Sequence, residues 1–209
     1  MSADRFAVLA HEVRSPVAAL TAIADAYPAA DEARRQRLLE LARAAVAGLE
    51  RLLADAVAGP LRLERLDAGS LARDAAETAA LGGALVVAET ADGLAVDADR
   101  DRLRQALDNL IGNAIGHSPA GGTVTVTARR EGDSIVIAVA DEGDGIPAAD
   151  LERVFEPGVR LTDARPGSGL GLAVVRAVAR EHGGEVEVES SRGQGSTFRL
   201  VLPGASGAG

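Results

Sequence analysis

The chain has 209 residues and a net charge of −9, with 47% apolar but only 2% aromatic residues. That length fits one large domain or two small ones, and the core must be built from Leu, Val and Ala. The acidic balance argues against a nucleic-acid binder, which would present a basic face. The absence of cysteine excludes disulfide frameworks and cysteine-based metal sites.

No run of about 18 apolar residues is present to span a membrane, and no secretory signal opens the sequence. A cytoplasmic location is therefore expected, with any membrane tether belonging to segments absent from this chain. No sensor domain is legible either.

Residues 4–27 carry a heptad stripe of Phe6, Ala10, Val13, Val17, Leu20, Ala24 and Tyr27. The alternating steps of four and three suit helix-on-helix packing. Pro16 removes a backbone donor and bends this helix just after His11. Asp31 is the expected N-cap of a second helix over 32–57. Its wide stripe runs through Ala42, Ala45, Val46, Leu49, Leu52, Leu53 and Ala56. Two such helices expose too much apolar surface for a monomer, and pairing two hairpins into a four-helix bundle buries it. A homodimer is the physical expectation.

Gly59-Pro60 marks a boundary. Beyond it, period-2 and period-3.6 patterns predict strands at 61–66, 84–88, 94–96, 123–129, 134–140, 185–190 and 196–202. Helices are predicted at 69–80, 99–116 and 170–181. Helices beside a mixed sheet imply a two-layer α/β sandwich, so the chain reads as α+β. The expected division is 1–59, 60–203 and a disordered Gly/Ala/Ser tail at 204–209.

One His and five short motifs punctuate this framework. The His lies in HEVRSP at 11–16. The motifs are DNLIGNA at 108–114, DEGDG at 141–145, VFEP at 154–157, GSGLGL at 167–172 and GQGSTF at 193–198. Asn109 and Asn113 stand four apart, on one face of the predicted helix. Their neutral amide oxygens suit Mg²⁺ beside phosphates. Asp141 ends an Ile/Val-rich strand, where a carboxylate can accept from an adenine amino group. Gly143 and Gly145 would let the backbone approach the ring. Gly167, Gly169, Leu170 and Gly171 open a helix whose free amides and dipole can hold phosphate. The run lacks the crossover context of a dinucleotide fold and the GK[ST] of a P-loop.

In order and spacing these motifs resemble a bacterial two-component sensor histidine kinase, across nearly the whole chain. The resemblance implies a dimerising, phosphoacceptor helical hairpin followed by a Bergerat-type (GHKL) ATP-binding domain. It implies ATP-dependent phosphorylation of His11 and transfer to an Asp of a response regulator receiver domain, with ATP and Mg²⁺ as cofactors. Glu12 takes the role of proton acceptor, and Ser15 that of the hydroxyl that positions water for dephosphorylating the partner. Asn113 matches the metal ligand and Asn109 its companion. Asp141 matches the adenine reader, Phe155 the lid-anchoring aromatic, Arg160 a lid arginine, and Gly193, Gly195 and Thr197 the last glycine box.

The sequence departs from the family pattern at Gly116, where a cation usually contacts phosphate, and at Gly158, where many relatives carry an aromatic. Weak ATP binding is the expected consequence. The alternatives are an ATP-binding scaffold or relay without self-phosphorylation, and an ATPase or serine kinase on the same fold. The HEVRSP box argues against the last. His117 reads as part of the pocket-side helix end, and His182 as the residue closing a helix before Gly183-Gly184.

Overall fold

The computed structural model describes residues 16–31, 34–39, 41–42, 45–46, 60–161 and 169–205. His11, Glu12, Ser15 and Gly167 lie outside them. The chain divides into two compact units, Met1–Leu61 with Gly167–Leu170, and Arg62–Pro166 with Gly171–Gly209.

In the first unit, helix α1 is described over 16–26 and ends in a 3₁₀ turn, Tyr27–Ala29. Pro28 cannot continue the helical ladder. Helix α2 is described at 34–39, 41–42 and 45–46. Asp31 starts it as expected, its Oδ1 accepting from the Arg34 amide at 2.8 Å. The Arg35 guanidinium lies over the Tyr27 ring at 5.5 Å.

The second unit runs β1 (Glu64–Asp67), α3 (Ala68–Ala80), β2 (Leu85–Thr90), β3 (Ala95–Ala98), α4 (Arg100–His117), β4 (Thr123–Glu131), β5 (Ser134–Asp141), α5 (Gly171–Glu181), β6 (Glu185–Ser190) and β7 (Ser196–Pro203). Five strands form one sheet in the order β2-β4-β5-β7-β6; β1 and β3 form a separate antiparallel ribbon. Only β2 and β4 pair in parallel, and the other neighbours in the large sheet are antiparallel. The parallel step needs a crossover, which α4 supplies.

Every expected strand and helix of this unit is present, with ends shifted by capping. The first strand starts late, at Glu64, and stops at Asp67, whose Oδ1 accepts from the Gly69 and Ser70 amides and so opens α3. Asp99 opens α4 in the same way, accepting from Arg102. Two short 3₁₀ helices, Ala148–Asp150 and Arg153–Phe155, interrupt the stretch that reads as loop.

The three helices pack on one face of the sheet. Val124, Val126, Ile135, Ile137, Val139, Phe198, Leu200 and Leu202 point into the core from β4, β5 and β7. Leu103, Leu107, Leu110 and Ile111 meet them from α4. Central β5 is buried on both faces. Val136 lies opposite Arg129 and Val201, and Ala138 opposite Thr127 and Arg199. Arg199 is held there by Glu131 at 2.9 Å and Glu187 at 3.2 Å.

His182 joins two helices. Its Nδ1 lies 2.7 Å from the Val178 carbonyl, and its Nε2 accepts from the Asp99 amide at 3.0 Å. The two bonds select the tautomer with hydrogen on Nδ1. The residue is thus a buried staple between the end of α5 and the start of α4, as well as a helix terminus.

The tail expected from 204 remains tied to this unit for its first two residues. Gly204 donates to Asp133 and Ala205 to Ala95, both at 2.8 Å. Among the described residues no helix is long and apolar enough to cross a membrane.

Candidate functional site

The C-terminal end of β5 delivers Asp141 to the rim of the helix-covered face, 7% exposed. Its Oδ1 accepts from the Gly143 amide at 2.8 Å. Burial pushes the carboxyl above the usual Asp range. The Gly143 and Ser196 amides, the charge of His117 and the Ser196 hydroxyl pull the other way without overcoming it. A desolvated carboxylate with one oxygen engaged by the backbone keeps acceptor capacity for a ligand N–H.

Close backbone contact dictates the glycines around it. A Cβ on Gly143 would sit 2.5 Å from the His117 carbonyl oxygen. The loop after β5 is therefore pressed against the end of α4. Gly145 meets the Ser191 carbonyl in the same way, at 2.0 Å, which presses the loop against the 191–195 turn.

Asn109 and Asn113 are half-buried on α4. A Cβ placed on Gly171 would lie 3.7 Å from the Asn109 amide oxygen, so Asn109 faces the first turn of α5. Asn113 follows one turn along. The Asn109 amide thus stands beside a helix N-terminus, an arrangement able to take a metal-chelated polyphosphate. Gly169 has φ +72°, and Leu170 is buried.

Phe155 is 6% exposed and meets Phe198 edge-on, ring centroids 6.1 Å apart. Its ring is a core member. The Arg176 guanidinium caps it at 5.6 Å, tying the 153–155 turn to α5. Arg160 is half-buried, and Gly158 takes φ +77°.

The resemblance gives Thr197 a place in the last glycine box, but strand alternation turns it to the sheet face opposite Phe198. Ser196 pairs directly with Asp141 across β7 and β5, and its amide and hydroxyl are among the groups that pull the carboxyl down against the effect of burial. Ser190 and Arg176 were also missed. Ser190 ends a Glu/Val alternation and looks like a turn residue, and Arg176 looks like a solvated helix cation. The inward parity of Ser196, two residues before the core Phe198, was the available signal.

With this geometry in place, comparison with known proteins is decisive. Residues 98–206, just over half the chain, match the histidine kinase-, DNA gyrase B-, and HSP90-like ATPase family. The chain belongs to that family. Among full-length relatives it is similar to the sensor-like histidine kinase SenX3 of Mycobacterium tuberculosis, 38% identical over a 226-residue alignment. The alignment covers 96% of this chain and 53% of SenX3, so the chain spans about half the length of that relative. Among solved structures, the mycobacterial sensor histidine kinase MprB superposes with a TM-score of 0.62 at 29% identity, over 68% of this chain and 98% of the solved MprB chain. Full-length ShkA in complex with AMPPNP gives a TM-score of 0.69 at 28% identity, over 100% of this chain and 47% of ShkA. The mixed sheet with helices on one face is the GHKL-type α/β fold of this ATPase family.

Proposed function

We propose that the chain is the catalytic core of a two-component sensor histidine kinase, which phosphorylates His11 from ATP and passes the phosphoryl group to an Asp of a response regulator. What supports this reading most is the alignment with SenX3 over 96% of this chain. It takes in both the HEVRSP box and the site around Asp141, and only a histidine kinase needs the two together.

In this reading residues 1–59 form the dimerising phosphoacceptor hairpin and 60–203 the ATP-binding domain. Val17, Leu39, Leu41 and Val46 are 40–58% exposed in the single chain, apolar surface that a second hairpin would cover. The protein works in the cytoplasm as a homodimer.

The adenine amino group donates to Asp141, with Gly143 and Gly145 allowing the ring close approach. The amides at 167–171 bind phosphate oxygens. Asn113, with Asn109 beside it, would offer hard neutral oxygens that fit Mg²⁺. The ion supplies charge neutralisation on the triphosphate. Arg160 adds positive charge near the phosphates, and Phe155 anchors the segment that leads to it.

His11 attacks the γ-phosphorus through one imidazole nitrogen. A P–N bond forms, and the bond to the β–γ bridging oxygen breaks, leaving ADP. Glu12 accepts the proton from the other ring nitrogen, which keeps the attacking one nucleophilic. Ser15, four residues after His11 in the sequence, would orient water for the reverse task of dephosphorylating the regulator.

The test is incubation with Mg²⁺ and γ-labelled ATP. Acid-labile, base-stable label is expected on the wild type and none on His11→Ala. Label that persists in His11→Ala would overturn the assignment.

A further inference from the structure

The sheet carries its core in rows that cross the strands. Val188, Phe198 and Val139 form one row across β6, β7 and β5, and Val186, Leu200 and Ile137 the next. One step toward the site the same register gives Ser190, Ser196 and Asp141. This last row is polar, on the helix-covered face, and ends on the buried carboxylate.

We propose that Ser190 is a positioning residue for adenine recognition, its hydroxyl orienting that of Ser196 toward Asp141 so that the carboxylate presents its free oxygen to the 6-amino group. The inference rests on the reading of Asp141 as the adenine acceptor.

Three contacts of one hydroxyl carry the argument. Ser190 Oγ accepts from the Ile146 amide at 2.8 Å, which fixes the exit of the DEGDG loop. It donates to the Gly195 carbonyl at 2.7 Å and lies 3.0 Å from Ser196 Oγ, sharing its one proton between the two. With the Ser190 proton engaged by the Gly195 carbonyl and the Ser196 oxygen, the Ser196 hydroxyl, paired in register with Asp141, has its own proton to turn toward the carboxylate. That bond is charge-assisted and stronger than a return bond to a neutral hydroxyl. Every partner of Ser190 belongs to a segment that touches Asp141 or its loop, so the residue fixes all three at once.

Removing the hydroxyl leaves the Ile146 amide without this acceptor and frees Ser196 to rotate. The damage falls on recognition of the amino group, because the phosphate-binding end of the site shares none of these bonds. A nucleotide without that amino group has little to lose.

The experiment is calorimetric titration of the full chain with Mg-ATP and Mg-ITP, ITP carrying a 6-oxo group in place of the amine. Wild type, Ser190→Ala, Ser190→Thr and Asp141→Asn are compared, each checked for an intact thermal transition. The wild type is expected to prefer ATP, and Ser190→Ala to lose roughly fivefold of that preference, the factor one net hydrogen bond supplies. Asp141→Asn is expected to lose more, and Ser190→Thr, which keeps a hydroxyl, to hold the wild-type ratio. An unchanged ratio in Ser190→Ala, equal weakening of both nucleotides, or a Ser190→Thr ratio as low as that of Ser190→Ala would overturn the inference alone. A wild type with no preference for ATP would overturn the adenine reading of Asp141, and the inference with it.

Discussion

Gly195 passes so close to Asp141 that a Cβ built on it would lie 1.9 Å from the Asp141 carbonyl oxygen. It also takes φ +74°, where L side chains are strained. Two adjacent strand ends therefore touch through their backbones, leaving no side chain able to swing aside. Gly195→Ala must separate β7 from β5 at the point where Ser196 reaches Asp141. The expected cost is on the order of 3 kcal/mol, from strain and displacement together. Urea unfolding checks this, and a midpoint within error of wild type would refute it.

Asp141 gives opposite pH dependences for stability and binding. Burial raises its carboxyl above the ordinary range, so folding favours the protonated form. That contribution is complete below the unfolded Asp value of about 3.9 and is lost as pH rises through the raised folded value. At neutral pH the ionised carboxylate is a liability, and apo Asp141→Asn is expected to melt at or above the wild-type temperature. On the proposed reading of Asp141 as the adenine acceptor, nucleotide binding needs the ionised form, so affinity is expected to fall as pH drops through the same raised value. At neutral pH, ATP affinity of Asp141→Asn is expected to fall roughly tenfold or more, the worth of a hydrogen bond to a charged group. Melting curves and titrations across pH test both signs.

The staple between helices has a measurable worth. His182→Ala removes the acceptor of the Asp99 amide and the donor to Val178. Losing the partner of a sequestered N–H costs about 1–3 kcal/mol. Asp99 also accepts from the Arg62 amide at 2.9 Å, so the damage is expected to reach the start of the second unit. The denaturation midpoint should drop with little change in slope.

Gly116 can be restored to a cation. A Cβ there meets nothing within 4 Å, and the position is exposed on α4. Gly116→Lys is expected to stabilise the helix by about 0.5–1 kcal/mol. If the phosphates lie between Asn113 and α5, it also adds an ion pair worth about 1 kcal/mol, roughly a fivefold gain in ATP affinity. Stabilisation without tighter binding would mean that the phosphates lie elsewhere.

Most of the second unit was legible in the sequence because its signals are local. Asp67 and Asp99 cap helices within three residues, and the Val/Thr alternation of β4 exposes one face and buries the other. The site was legible as a set of motifs. Their parity was less so. Thr197 and Ser196 are adjacent and chemically alike, and only the pairing of Ser196 with Asp141 says which one enters the site. Phe155 reads equally as lid anchor or core. Its packing against Phe198 places it in the core, and its position before Glu156 keeps it at the root of the following loop.

The elements of the second unit, their order, their caps and the chemistry available at each motif are written locally in the sequence, because helix and strand periods and cap residues act over a few neighbours. Which side chains share a face, and which backbones touch, follows from how distant segments pack together. The Ser190–Ser196–Asp141 row, the His182–Asp99 bond and the Arg176–Phe155 contact each join segments far apart in the chain. Strand register sets the first and helix packing the other two, and a one-residue slip in register would turn every side chain of a strand to the other face.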